Sequence, residues 1–229
     1  MTVAALEAGV RLHVGLPRHG KTYAARREVF QFVREHPCIV LDQTFEWTRP
    51  PGSLVPRDVA DVTRRAATVG EAAALVDDGA RLVIVSTDAD PELVAEAACK
   101  WARYYKGRAG VMIGEAHNAF PVNKPLGPHA RAVATAFRHW DVAAWLDTQR
   151  LSLLNRSWDL AQTIRVFSAT DSDFKRLREI GGPALERAVR EAGYRNTPVD
   201  RGGRGEPGWH VTLYEGVRTG RYELARGAE

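Results

Sequence analysis

Eight consecutive residues, Gly15-Leu16-Pro17-Arg18-His19-Gly20-Lys21-Thr22, set two glycines, a lysine and a hydroxyl at a spacing that suits a polyphosphate. They satisfy G-x-x-x-x-G-K-[ST] at every fixed position. Glycines let successive backbone N–H groups curl around a phosphate, and a helix starting there adds its positive end. Lys21 reaches the terminal phosphates as a point charge, and the Thr22 hydroxyl ligates magnesium. The flanks agree: the β-type run Val10-Arg11-Leu12-His13-Val14 precedes the loop, and a helical pattern from about Lys21 to Arg34 follows and stops before Pro37. All eight residues are therefore expected to bind a nucleoside triphosphate, ATP first among them, with Mg2+.

Hydrolysis also needs a carboxylate that orients water and one that steadies the metal. The apolar run Val111-Met112-Ile113 leads into Gly114-Glu115-Ala116-His117-Asn118. Glu115 at that strand end is expected to activate water and to lie close to the metal. Gly114 stands where such strands often carry an aspartate. Asp42 and Glu46, after the apolar run Cys38-Ile39-Val40-Leu41, are expected to make up the deficit, because the carboxyl ends of parallel strands share one crevice. Asp88 and Asp90 share that crevice argument, but Asp90 before Pro91 suits a helix N-cap better.

A third polar strand end is Asp147-Thr148-Gln149-Arg150. Gln149 there suits a hydrogen bond to the γ-phosphate or the attacking water. Arginine keeps its charge and offers a planar fork to a transferring phosphoryl group. Arg138 and Arg150 are the candidates for a finger supplied by a neighbouring subunit.

These groups need a scaffold that lines up strand ends. Short β-rich runs at 10–14, 38–41, 81–85, 109–113, 142–146 and 163–167 alternate with helical patterns, which indicates an α/β fold with a mainly parallel sheet. Helices are expected near 69–77, from Pro91 to about Tyr105, and before Arg138. Residues 171–178 and 183–192 read as two further helices. TRPPGSLVPR at 48–57 reads as a loop rich in proline and glycine, and RGGRGEPG at 201–208 reads as a turn or loop. The alternating tail, 209–214 and 220–224, predicts a terminal β-hairpin. The expected organisation is a core over 1–170, with 171–229 packed on it as one domain.

Composition supports a globular chain: 229 residues, 45% hydrophobic and 26% charged, enough for one sizeable core. Cys38 and Cys99 are the only cysteines, without metal-ligand or disulfide spacing, and read as small core residues. The N-terminal MTVAALEAGV lacks the basic segment of a signal peptide, and no run of 18 apolar residues occurs. A cytoplasmic setting is the expectation. The net charge of +4 and pI of about 9.3 rest almost wholly on arginine and suit a polyanionic partner.

GLPRHGKT, LDQTFEW, GVMIGEAHNAF and FRHWDVAAWLDTQRLSLLN occur in the order found in the FtsK–HerA superfamily of ring-forming, ATP-driven DNA motors, which this chain resembles over about residues 10–170. The lack of a membrane segment or large accessory domain makes it most similar to the genome-packaging ATPases of membrane-containing icosahedral viruses; Zot-like proteins share the motifs. The resemblance implies a RecA-like P-loop NTPase, a three-layer sandwich with a small C-terminal hairpin. It also implies a homo-oligomeric ring of five or six subunits acting on double-stranded DNA in the host cytoplasm or on the virion, beside a capsid or membrane vertex protein. Lys21 and Thr22 would bind nucleotide and metal, Glu115 would activate water, Gln149 would sense the γ-phosphate, and Arg138 or Arg150 would act across the ring. Lys124, Arg131 and Arg156 are conceivable DNA contacts. A small-molecule kinase, with 201–208 as its lid, and an ATP-binding assembly factor of weak turnover are the alternatives.

Overall fold

A computed structural model describes residues 7–17, 19–44, 47, 56–206, 208–214 and 222–226. Arg18 and Glu46 lie outside the described residues. The chain runs β1 (Gly9–Val14), α1 (Lys21–Phe32), β2 (Cys38–Leu41), α2 (Arg57–Ala60), β3 (Thr63–Ala66), α3 (Val69–Asp77), β4 (Leu82–Val85), α4 (Pro91–Tyr104), β5 (Ala109–Ile113) and α5 (Ala116–Ala119). It continues through α6 (Pro128–Ala136), β6 (Val142–Thr148), β7 (Thr163–Val166), α7 (Asp171–Asn196), β8 (Trp209–Tyr214) and β9 (Tyr222–Arg226).

One sheet takes all these strands in the order β3-β4-β2-β5-β6-β1-β7-β8-β9. β3 through β7 are joined by parallel pairings, and β8 and β9 add antiparallel to the β7 edge. Residues of β2 are buried along its whole length, as a strand covered on both faces must be. The two-residue side-chain period sorts them: Ile39 and Leu41 enter one core cluster, and Cys38 and Val40 the other. The second cluster lies under α1 through Ala25, Val29 and Phe32. The first lies under α3, α4, α6 and α7, through residues such as Ala72, Ala95, Val133 and Leu177. The result is an α/β sandwich of three layers.

Local chemistry explains most boundaries. Asp90 caps α4, its Oδ1 accepting from Glu92 N at 2.8 Å and Leu93 N at 3.4 Å, with Pro91 in the first turn. Residues 171–178 and 183–192 lie in the two helical segments of α7, which are parted at Gly182, whose φ of 73° and ψ of −175° are non-helical, just before Pro183. The hairpin continues the main sheet through β7. β3 is unforeseen in the sequence: Thr-Arg-Arg-Ala lies at the sheet edge with both arginines exposed, so it lacks any apolar alternation. Cys38 and Cys99 are free and buried, and burial pushes both thiols up. Among the described residues, no helix is long and apolar enough to cross a membrane.

Candidate nucleotide-binding site

The loop after β1 is tied down from both sides. Gly15 N–H donates to Thr148 O at the end of β6 (3.0 Å), and Leu16 N–H donates to Ser168 Oγ beyond β7 (2.9 Å). A Cβ at Gly15 would come within 2.9 Å of Phe167 Cβ, so the loop passes too close to β7 for any side chain there. Gly20 sits at φ 96°, in the left-handed region that lets the chain turn into α1. His19 is buried, which holds its imidazole below the ordinary histidine range.

Lys21 and Thr22, at the first positions of α1, meet carboxylates from the neighbouring strands. Lys21 Nζ pairs with Asp147 Oδ1 and lies 3.7 Å from Glu115 Oε1. Thr22 Oγ1 donates to Asp147 Oδ2 at 2.9 Å. Gln149 Nε2 donates to Glu115 Oε1 at 2.6 Å. Lys21, Asp147 and Glu115 are all buried. Glu115 Oε2 accepts no hydrogen bond among the described residues and lies 3.4 Å from His117 Nδ1. His117 Nδ1 also lies 2.9 Å from Thr148 Oγ1. Burial, opposed by Glu115, holds the His117 imidazole below its usual value, so at neutral pH the contact is not an ion pair.

The other expected residues fall in different places. Asp42 is buried at the end of β2, where its Oδ2 accepts from Trp47 N at 2.9 Å. β5 and β6 separate β2 from β1, so about 14 Å of sheet lies between the two strand ends. Arg150 is exposed on the same edge as the loop. Arg138 precedes β6, a strand of 7 residues, and so stands at the opposite edge, about 20 Å away. There it lines a cavity of about 280 Å³ with Phe137, Leu160 and Gln162. Of the basic residues considered for DNA, Lys124 pairs with Glu92, Arg131 donates to Leu126 O, and Arg156 pairs with Glu179. In the 201–208 loop, Gly208 packs against the phosphate loop, 3.4 Å from where a Cβ on Gly20 would be.

Asp147 is the member of the site that motif matching passed over. Its string, W-L-D-T-Q, drew attention to Gln149 alone, although an aspartate inside an apolar strand was itself a signal, because a buried carboxylate needs a partner.

The donor set suits magnesium, which prefers hard oxygen ligands, keeps several waters and takes only one or two protein groups alongside phosphates. Among the described residues no three His, Cys, Asp or Glu side chains cluster as a cage, and a phosphate-bound ion does not require one. The Thr22 hydroxyl and the Asp147 and Glu115 carboxylates are the oxygens that would face such an ion.

No protein-family model and no curated protein matches the sequence. Solved structures do match. The genome packaging NTPase B204 from Sulfolobus turreted icosahedral virus 2, in complex with AMPPCP, superposes with a TM-score of 0.69 at 16% identity, covering 97% of this chain and 98% of that one. The fold is that of a P-loop NTPase. B204 of Sulfolobus Turreted Icosahedral Virus, described as a DNA-packaging ATPase, gives 0.67 at 15% identity over 97% and 99% of the two chains. The virus 2 protein also matches in complex with ATP-gammaS, at a TM-score of 0.66 and 17% identity over 95% and 96% of the chains. The fold likeness thus extends over 95–97% of the chain, beyond the 10–170 span of the sequence motifs.

Proposed function

We propose that this chain is an ATP-hydrolysing motor that translocates double-stranded DNA, packaging a viral genome into a capsid as a ring-shaped homo-oligomer. The observation that carries this is the meeting of Lys21, Thr22, Glu115 and Gln149 at one sheet edge, around a loop whose backbone is already braced. In that arrangement the loop amides and Lys21 would receive the triphosphate, and Thr22 would hold a magnesium ion, whose charge would offset that of the phosphates. Glu115 Oε2 is free to accept a proton from an attacking water, while Gln149 fixes the other carboxylate oxygen and so aims the group. Similarity to viral packaging NTPases along nearly the whole chain supports DNA as the track; the setting that goes with this reading is the host cytoplasm or the virion. Arg138, at the far edge, suits a role across a subunit boundary; Arg150 suits one near the phosphates.

ATP hydrolysis with and without duplex DNA, for wild type and Lys21→Ala, tests this. Duplex DNA is expected to raise the wild-type rate, and Lys21→Ala to abolish it, with a transition-state loss of several kcal/mol, on the order of that for charged phosphate contacts. A DNA-indifferent rate from a monomeric species would refute the motor.

A further inference from the structure

The P-loop site lacks an acidic residue at the position next to Glu115, where Gly114 stands. We propose that Asp147, one strand over, is the carboxylate of the magnesium site, orienting the Thr22 hydroxyl that ligates the ion; this rests on the nucleotide-hydrolysing reading above.

Sheet register carries the inference. Ile113 of β5 pairs with Leu146 of β6, so the next step sets Gly114 beside Asp147. On its other side, Asp147 pairs with His13 of β1, the strand that delivers the phosphate loop. The carboxylate therefore stands at the same level of the sheet as Gly114 but one strand closer to Thr22. Paired residues of parallel strands project to the same face about 4.8 Å apart, so an acid at 114 would crowd Asp147 with like charge. Glycine removes the competitor. Asp147 is 2% exposed, and a carboxylate so buried must be compensated. Both its oxygens turn to the two residues that a P-loop devotes to nucleotide and metal: Oδ1 to Lys21 Nζ and Oδ2 to Thr22 Oγ1. Asp42 has neither advantage. Its Oδ2 serves the Trp47 amide, and its strand is separated from β1 by two others.

The arrangement also describes a hand-over. Without nucleotide, Asp147 neutralises Lys21; when phosphates take Lys21, the freed oxygen faces the cation that arrives with them. A merely structural counter-ion for Lys21 would show no such dependence on metal.

Binding of ATP-gammaS, a slowly hydrolysed analogue, is measured by calorimetry with and without Mg2+, and retention of Mn2+ in the nucleotide complex by electron paramagnetic resonance. Asp147→Asn, which keeps the shape and removes the charge, is expected to bind the metal-free analogue more tightly than wild type, because no carboxylate then competes with the phosphates for Lys21. It is expected to lose Mn2+ affinity by roughly 10–100-fold, the range seen when a group orienting a metal ligand is removed. Asp42→Asn is expected to retain the ion. Mn2+ affinity within twofold of wild type in Asp147→Asn, or a loss in Asp42→Asn instead, overturns the assignment while leaving the nucleotide site standing. Wild type that binds no analogue under either condition overturns the nucleotide reading itself and the assignment with it. If Asp147→Asn does not fold, Asp147→Glu carries the test: a displaced carboxylate must change the Mn2+ spectrum and affinity in the nucleotide complex, and no change overturns the proposal.

Discussion

Glu115 holds φ 47° and ψ 48°, a left-handed conformation that costs a non-glycine residue about 1–2 kcal/mol. The strain is offset by what it achieves: the side chain turns back over the end of β5 to reach Gln149 and approach Lys21. Glu115→Gln should therefore keep ATP binding while lowering hydrolysis by about 10²–10⁴-fold, the span of a general base, as a single-turnover assay would read. His13 offers a test of another kind. Burial, aided by the Arg165 charge, holds its imidazole down to about 3, and neither ring nitrogen makes a hydrogen bond among the described residues. Between its ordinary value of 6.5 and 3 the unfolded chain binds a proton that the folded chain refuses. Stability must then fall as pH drops through that window, by up to about 1.4 kcal/mol per unit from this residue. Urea titrations at stepped pH should show a flatter slope for His13→Leu; an unchanged slope would mean that His13 is protonated in the native state.

At the scale of elements, the site depends on how α1 is pinned to the sheet. Glu28, on the buried face of α1, accepts from Trp145 Nε1 of β6 at 2.9 Å and pairs with Arg165 of β7. Its carboxylate also lies 3.9 Å from Arg11 Nε of β1. Three strands are thus tied to the helix that begins with Lys21. Glu28→Leu leaves buried guanidinium groups without that carboxylate; since Arg165 reaches water in part, about 2–3 kcal/mol is the expected loss, below the full cost of breaking a buried pair. Chemical denaturation measures it. The start of α1 is equally exacting: Gly20→Ala must adopt φ 96° with a side chain, costing about 1 kcal/mol and displacing the loop amides. Calorimetry should show nucleotide affinity falling more than stability does.

For the whole molecule, the opposite placement of Arg138 and Lys21 has a consequence in a ring. If each active site takes its arginine from a neighbour, Arg138→Ala and Lys21→Ala chains should each be inactive alone, and mixing them should restore part of the ATPase activity. Mixing without recovery would confine the arginine's role to its own subunit. DNA stimulation should also weaken steeply as salt rises, because phosphate contacts release counterions.

How much of this was legible beforehand differs by element. The phosphate loop, α1, the six parallel strands it anticipates and the terminal hairpin follow from local patterns: apolar runs, capping at Asp90, and glycines where only glycine fits. The two helical segments of α7 are legible as well, because Gly182-Pro183 breaks the pattern where the backbone itself leaves the helix. β3 escaped because an exposed edge strand need not alternate. Glu28 and Asp147 escaped for a deeper reason. A charged residue reads as surface until the partners that compensate it are known, and those partners lie 117 and 126 residues away in sequence for Trp145 and Lys21. Residue types and local spacing were enough to specify a loop that binds phosphate; which carboxylate stands beside it depends on strand order, and strand order is settled only when the sheet closes its long-range pairings.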